Sequence, residues 1–325
     1  MSKLLLAIAC AATLSSLGSA NAQPWPTRPV TMVVPYAAGG TTDVIGRILS
    51  PRLSEILGQQ VIVENMGGAG GMTGASRVAK AAPDGYQFIL GNVGTHAQNQ
   101  TLYKQPLYSA VTDFAPVILL VDQPMVLIAR HDLPADNLQQ FIAYAKANQA
   151  KMQYGSAGAG APTHLSCALL NAAIGIDVTH VPYRGGGPGM QDLIAGRIDY
   201  FCYNTPAAIP QIVGKTVRPI AVLSMNRSQA LPNLATAHEQ GLKDFEADNW
   251  LAFFLPKGTP AEIIQKLHDA AVATVGTPAI QQRLTELGAD PVAPDRQTPE
   301  YLQKFVESQI AKWAAAIKAA GVSAN

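Results

Sequence analysis

The sequence has little charge and little cysteine, and each shortage excludes a class of protein. Only 14% of the 325 residues are charged and the net charge is +1, which argues against a nucleic-acid surface. The three cysteines form no CxxC pair and the six histidines are dispersed, so neither a metal site nor a cofactor is predicted. Hydrophobic residues make up 48% of the chain, but no apolar run after the N-terminal stretch is long enough to span a membrane. This composition indicates a globular protein.

The N-terminus has the pattern of a secretory signal peptide. An apolar stretch, Leu4 to Leu14, is too short to be a membrane helix, and Ala20-Asn21-Ala22 forms a small-x-small cleavage site. We therefore expect cleavage after Ala22 and export to the periplasm. Lipidation at Cys10 is a competing interpretation, although leucine is absent from the third position before that cysteine.

Short apolar runs, glycine-rich turns and helical patterns alternate along the rest of the chain. For example, the strand-like run Pro29–Val34 leads through a turn into a helical pattern over Thr42–Leu57. This alternation predicts an α/β fold with parallel sheets and helices on both faces. About 300 residues favour two domains over one.

The alternation of strand and helix patterns is interrupted twice. We therefore predict that the chain crosses between the two domains near residues 121–123 and again near 245–250. The predicted lobe 1 comprises residues 23–122 and 247–325, and lobe 2 comprises 123–246. After cleavage of the signal peptide, Cys167 and Cys202 remain. They either form a disulfide or are two small buried side chains, and their spacing leaves both interpretations open.

Two glycine-rich loops each connect a strand to a helix, one in each half of the chain. The loops are Pro35–Asp43 and Gly155–His164. Converging backbone N–H groups and a helix N-terminus could hold an anion without any arginine or lysine. The first loop alone is equally well explained as a tight turn with a capping threonine. Two such loops facing each other could hold a carboxylate and couple its capture to domain closure.

Catalytic motifs are absent from the sequence. Ser156 lies in YGSAG rather than GxSxG, and neither a strict GxGxxG nor a GxxxxGK[ST] motif occurs. His164 could act as the general base of a hydrolase or lyase, but no nucleophile or carboxylate is spaced to define such a site. The prediction is a binding protein and not an enzyme.

Several runs along the chain resemble a known family, the Bug family, which comprises the solute-binding receptors of tripartite tricarboxylate transporters. The resemblance covers essentially the whole mature chain, and its ordered runs are Trp25–Asp43, Val63–Asn65, Gly67–Gly71, Ala82–Tyr86, Gly155–Gly158, Thr163–Leu165, Val181–Gly185, Asp192–Gly196 and Leu255–Pro260. It implies a two-lobed type II periplasmic-binding-protein-like fold, with a ligand cleft between the lobes. It also implies a small carboxylate ligand, transient contact with the transporter's membrane subunits, and a monomer.

The resemblance also implies the ligand contacts. One ligand carboxylate is expected to meet the two glycine-rich loops, at Tyr36, Ala38, Gly39, Gly40 and Thr41 in one lobe and at Ser156, Ala157, Gly158 and Thr163 in the other. The distal wall, which sets specificity, would comprise Asn92, Thr95, His96, Tyr183, Arg184 and Asn204. Many relatives carry aspartate where Asn204 stands, so a ligand without an amino group, a di- or aromatic carboxylate, is favoured. A sensor that feeds a two-component system remains an alternative.

Overall fold

A computed structural model describes residues 25–319, so the predicted signal peptide and Cys10 lie outside the described residues. The strands are β1 (Val30–Val34), β2 (Val61–Asn65), β3 (Gln87–Asn92), β4 (Phe114–Gln123), β5 (Met125–Arg130), β6 (Gln153–Ser156), β7 (Thr179–Pro182), β8 (Tyr200–Asn204), β9 (Val217–Val222), β10 (Asn249–Pro256) and β11 (Asp290–Pro291). The helices are α1 (Thr41–Leu57), α2 (Met72–Ala79), α3 (Asn99–Leu102), α4 (Leu138–Asn148), α5 (Pro162–Ile174), α6 (Gly186–Ile194), α7 (Thr205–Val213), α8 (Ala261–Val275), α9 (Pro278–Glu286) and α10 (Pro299–Ala319). Between residues 25 and 319, no helix is long and apolar enough to cross a membrane.

The strands form two separate sheets, each of which has its own hydrophobic core on both faces. The first sheet has the order β11-β4-β10-β3-β1-β2, and the second has the order β7-β6-β8-β5-β9. Buried aliphatic and aromatic side chains cover both faces of each sheet. We refer to the part of the chain built on the first sheet as lobe 1 and to the part built on the second sheet as lobe 2. The predicted two-lobed α/β fold is confirmed.

Both sheets are mixed, whereas the alternation of strands and helices predicted parallel sheets. In lobe 1, β10 runs antiparallel to β3 and β4, and in lobe 2, β5 runs antiparallel to β8 and β9. The reason is the direction in which the chain enters each lobe. β5 and β10 both begin at the edge that faces the other lobe, so they run away from the cleft while the βα strands run towards it.

The chain passes between the sheets at two adjacent places. Pro124 alone separates β4 from β5, and β10 begins at Asn249, which pairs with Gln123 within the first sheet. The predicted division at residues 122/123 and 246/247 stays a prediction, but these two crossings define a hinge between the sheets. Two crossing strands side by side allow the lobes to rotate about one line.

The two cysteines left open by the sequence form a disulfide within lobe 2. Cys167 of α5 and Cys202 of β8 are fully buried, and their Cα atoms are 5.3 Å apart. This bond ties the helix that follows the second glycine-rich loop to the centre of its sheet.

Candidate functional site

Four helices begin at the gap between the lobes, and none of them has a side-chain cap. They are α1 of lobe 1 and α5, α6 and α7 of lobe 2, whose N-cap residues are Gly40, Ala161, Gly185 and Asn204. The first N–H groups of a helix have no partner inside that helix, and the helix dipole places partial positive charge there. Four such ends facing one space make it electropositive without a basic side chain.

In this closed arrangement the helix ends leave a cavity of about 20 Å³ between them, the space of about one water-sized group, so the lobes must separate to admit a larger ligand. Its lining consists of Tyr36, Gly40, Thr41, Thr42, Asn92, Ala157, Pro162, Thr163, Gly186, Tyr203 and Asn204. No acidic or basic side chain is among them. Amides, hydroxyls and carboxamides therefore provide all the polarity of this site, which suits an anion held by hydrogen bonds.

The first glycine-rich loop is held from behind by a carboxylate. Asp43 accepts a hydrogen bond from the Gly39 amide at 3.0 Å and one from Arg47 Nε at 2.9 Å. Burial opposes ionisation of Asp43, but the bonds from Arg47 and Gly39 outweigh it and lower the pKa of this carboxyl. The negative charge of Asp43 is thus balanced by Arg47, and it lies outside the cavity. The Thr41 hydroxyl, in contrast, is buried, lies on the cavity wall and has no partner among the described residues.

The second glycine-rich loop is held by its own side chains. Thr163 Oγ1 accepts from the Ala157 amide at 2.8 Å, and Ser156 Oγ accepts from the Gly158 amide at 3.1 Å. Ser156 Oγ also lies 2.6 Å from His180 Nε2, and His164 Nδ1 accepts from the Gly160 amide at 3.2 Å. The hydroxyl of Ser156 and the imidazole of His164 are therefore used to shape the loop.

His164 stacks on His180, with ring centroids 4.0 Å apart. Burial lowers the pKa of His164 to about 4, and burial together with His164 lowers that of His180 to about 3. In the unfolded chain these imidazoles have a pKa of about 6.5. The unfolded state therefore binds more protons below that pH, and the stability that neutral His164 contributes is lost as pH falls towards 4.

We expect His164→Gln to gain stability relative to the wild type as pH falls. The gain between pH 7.5 and pH 5 should be about 2 kcal/mol, because glutamine keeps an acceptor for the loop amide and does not titrate. Urea unfolding of both proteins at each pH measures it, and the comparison cancels the titrating groups that are remote from His164. A stability difference that does not change with pH would contradict the assignment of a buried neutral imidazole.

The distal wall combines a cavity residue with a buried turn. Asn92 Nδ2 donates to the Tyr36 hydroxyl at 3.1 Å, and Asn92 Oδ1 accepts from the Thr95 amide at 3.0 Å. His96, the residue after Thr95, lies in the core and stacks on Phe254, with ring centroids 3.7 Å apart. Burial lowers the pKa of His96 to about 3. Thr95 thus supports the wall from behind.

The structure brings seven of the fifteen predicted contact residues onto the cavity wall, and His96 of the core is not among them. Those on the wall are Tyr36, Gly40, Thr41, Asn92, Ala157, Thr163 and Asn204, whereas Ala38, Gly39, Thr95, Ser156, Gly158, Tyr183 and Arg184 lie outside its lining. Arg184 has an exposed side chain, and its carbonyl accepts from the Ala37 amide of the other lobe at 3.3 Å. Tyr183 donates to Asp192 at 2.7 Å, away from the cavity.

Three lining residues escaped the sequence reasoning, namely Pro162, Gly186 and Tyr203, and a fourth, Thr42, belongs to the first glycine-rich loop. Gly186 was missed because the run Gly185–Pro188 has the composition of a turn. α6 instead begins at Gly186, because a proline in the first turn of a helix loses no intrahelical hydrogen bond. The proline-containing first turn was therefore the available signal.

The lobes approach each other through backbone at the rim of the cavity. Tyr103 of lobe 1 donates to the Ala159 carbonyl of lobe 2 at 2.7 Å. A methyl group on Gly70 would lie 2.2 Å from that same carbonyl oxygen, and one on Gly185 would lie 2.7 Å from Ala37 Cβ. Glycines at these places are therefore required for the closed arrangement.

Two lobes, two crossing strands and a cavity between helix N-termini define this protein as a two-lobed binding protein. The model of the tripartite tricarboxylate transporter family receptor matches residues 45–322. The chain is 40% identical over 321 residues, 99% of its length and 92% of the relative, to the UPF0065 protein in the TAR-I ttuE-ttuC' intergenic region of Agrobacterium vitis. It belongs to the tripartite tricarboxylate transporter receptor family, and the resemblance to the Bug family is confirmed.

Solved structures agree with this assignment. The periplasmic binding protein BugD is 41% identical, with a TM-score of 0.89 and coverage of 92% of this chain and 99% of that one. MatC from Rhodopseudomonas palustris with bound malate is 36% identical, with a TM-score of 0.88 and coverage of 90% and 100%. Another R. palustris protein, solved with adipate, is 37% identical, with a TM-score of 0.88 and coverage of 92% and 99%.

Proposed function

We propose that this protein is a periplasmic receptor that captures a small carboxylate and delivers it to the membrane subunits of a tripartite tricarboxylate transporter. The observation that carries the proposal is the convergence of four uncapped helix N-termini, with the unpartnered Thr41 hydroxyl, on a cavity without charged side chains. A carboxylate bound there would accept several charge-assisted hydrogen bonds, each worth roughly 1.5–3 kcal/mol.

The proposal includes export, a cleaved signal peptide ending at Ala22, and action as a monomer. The buried disulfide supports an oxidising compartment, because such bonds persist outside the cytosol. The malate-bound and adipate-bound relatives support a dicarboxylate ligand, since both of those molecules are dicarboxylic acids.

Asn204 supports a ligand that has a second acceptor group instead of an ammonium. Its Oδ1 accepts from Asn249 Nδ2 at 3.1 Å, which leaves the Nδ2 hydrogens of Asn204 for the ligand. A donor at this point of the wall favours a second carboxylate. Substitution of Asn204 by aspartate should weaken dicarboxylate binding about tenfold or more, because it replaces a donor by a negative charge.

An enzyme is the less favoured function. The Ser156–His180 contact has the composition of a nucleophile–base pair, but the Ser156 hydroxyl is fully buried and accepts from the Gly158 amide. His164, which the sequence suggested as a general base, accepts a hydrogen bond from the Gly160 amide. Both groups therefore support the second loop. Conversion of a bound carboxylate to a product that is lost in His164→Gln would favour the enzyme.

The proposal is tested by the thermal stability of the ligand-stripped mature protein against a carboxylate panel. The panel contains acidic amino acids, C4–C6 diacids, tricarboxylates, nicotinate and benzoate-type acids. A ligand at a hundredfold excess over its Kd should add roughly 2.7 kcal/mol of stability. Asn204→Asp should lose the shift with diacids. Failure of every carboxylate to stabilise the protein would overturn the proposal, and association with a membrane histidine kinase rather than a transporter would favour the sensor.

Substitution of Thr41 by valine should have opposite effects on affinity and on stability. The buried hydroxyl has no protein partner, so the isosteric apolar side chain should leave the free protein equally stable or slightly more stable. Ligand affinity should fall by about five- to twentyfold, since one hydrogen bond to the carboxylate is lost. Calorimetric titration measures affinity and urea unfolding measures stability. Thr274→Val, in which the removed hydroxyl donates to Ala270 within α8, is the control that should leave affinity unchanged.

A further inference from the structure

A second cavity, of about 340 Å³, lies at the hinge and shares no lining residue with the first. Gln123 and Pro124 of the first crossing and Asp248, Asn249 and Trp250 of the second line it, together with residues 224–227 of lobe 2 and part of α10. A row of carboxamides separates the two cavities, because Asn249 Nδ2 donates to Asn204 on one side and to Gln123 Oε1, at 2.9 Å, on the other. The hinge cavity is large enough for a small organic molecule.

The charges around this cavity do not balance. Three basic side chains face it, and each is already paired: Arg296 with Asp122 at 3.0 Å, Arg227 with Glu239 at 2.9 Å, and Lys312 with Glu246 at 3.2 Å. Asp248 and Asp290 also line the cavity and have no basic partner within residues 25–319. Both side chains are half-buried, and Asp248 lies against Glu246. Carboxyls in this setting hold their protons more tightly, and a cation beside them would stabilise their ionised forms.

The pKa values of the two carboxyls agree with this geometry. Burial, with Glu246 close by, raises the pKa of Asp248 to about 8. Burial and then Asp122 raise the pKa of Asp290. A bound cation would favour the ionised forms, so its binding should release protons and strengthen as pH rises.

Several polar atoms of the same wall are also unsatisfied. Gln123 Nε2 and Trp250 Nε1 are buried donors without a partner in the described part of the chain, and Asp248 Oδ1 and Asn249 Oδ1 are buried acceptors without one. Gln123, Asn249 and Trp250 are each at least 98% buried. Native proteins leave few such groups unpaired, and here four of them line one cavity. The complement is a molecule with a cationic donor at one end and an oxygen acceptor at the other.

We propose that the hinge cavity is a second binding site, for a small ammonium compound that also carries a hydroxyl or carbonyl oxygen. The ammonium would lie between Asp248 and Asp290, and the oxygen would accept from Trp250 Nε1 and Gln123 Nε2. Because residues of both lobes and of both crossings line the cavity, the bound molecule would contact every part that moves during closure. The site does not depend on the identity of the carboxylate.

The test uses the mature protein, at constant ionic strength, and three probes of equal chain length: 3-amino-1-propanol, n-butylamine and 1-butanol. We expect the amino alcohol to bind roughly five- to tenfold more tightly than n-butylamine, which lacks the acceptor, and 1-butanol to bind more weakly than either. Its affinity should rise between pH 6 and pH 9 as Asp248 loses its proton. Calorimetric titration or ligand-observed NMR measures each Kd.

Two variants locate the site. Asp248→Asn should weaken binding of the amino alcohol roughly tenfold or more, and Trp250→Phe should reduce its advantage over n-butylamine to near equality. Asp132→Asn, at a 75% exposed carboxyl of lobe 2, is the control that should change nothing. Circular dichroism checks folding, and Trp250→Phe keeps the test decisive if Asp248→Asn does not fold. Equal affinity for all three probes, or binding unchanged in both variants, would overturn the site.

Discussion

Substitution of Gly70 by alanine is expected to weaken ligand binding about a hundredfold or more. Gly70 lies at the rim of lobe 1 with φ +61°, and an added methyl group would come within 2.2 Å of the Ala159 carbonyl oxygen and 2.8 Å of the Gly160 carbonyl carbon. Both atoms are backbone of lobe 2, so they cannot move out of the way like a flexible side chain. The clash exists only when the lobes are closed.

The size of the effect follows from what closure supplies. Three of the four helix N-termini at the cavity, those of α5, α6 and α7, belong to lobe 2. If the lobes cannot close, the ligand contacts only one lobe and loses its hydrogen bonds to the other. The loss of two charge-assisted hydrogen bonds, at roughly 1.5–3 kcal/mol each, corresponds to at least about a hundredfold in Kd. Calorimetric titration with the ligand found in the carboxylate panel measures this loss.

The matched control is Gly58→Ala. Gly58 also has a left-handed backbone, with φ +71°, but an added methyl group there meets nothing within 4 Å. Both variants therefore carry the cost of alanine in that conformation, roughly 1–2 kcal/mol of stability, and only one of them obstructs closure. Small-angle scattering should show ligand-induced compaction in Gly58→Ala and none in Gly70→Ala. Wild-type affinity in Gly70→Ala would show that closure does not bring these backbones together.

Removal of the disulfide should lower the free energy of unfolding by about 3–4 kcal/mol. Cys167 and Cys202 are 35 residues apart in sequence, and a bond closing a loop of that length restricts the unfolded chain by roughly this amount. The double variant Cys167→Ala/Cys202→Ala tests the effect by urea unfolding. Both side chains are fully buried, so part of the loss will come from packing.

Reduction separates the bond from the packing. Dithiothreitol should destabilise the wild type and leave the double variant unchanged, because the variant has no bond to reduce. The loss should also reach the ligand site, since Cys202 lies two residues before Asn204 and Cys167 lies on the helix that begins beside Thr163. A reductant that leaves the unfolding midpoint of the wild type unchanged would contradict a stabilising disulfide.

Much of the fold followed from local pattern. The strand-and-helix alternation, the two glycine-rich loops and the ordered runs shared with the Bug family predicted a two-lobed α/β binding protein, and the family assignment is confirmed. Local pattern also predicted parallel sheets, which was wrong for β5 and β10. A strand can begin at the hinge or at the opposite edge of its sheet, and this depends on the path of the whole chain. No short segment of sequence determines that path.

Local sequence is sufficient to predict the elements of this protein. Hydrophobic periodicity indicates its strands and helices, and glycines that allow close approach of the backbone indicate its tight loops. Only the tertiary structure decided which parts meet. It placed Gly186 and Tyr203 on the cavity wall, put His96 in the core and turned the Arg184 side chain outward. It also joined the two cysteines and brought half-buried carboxyls together at the hinge. The physical reason is that periodicity reports the burial of each element by itself. Contacts between residues distant in sequence depend on strand order and lobe closure, which are set by the packing of the whole molecule.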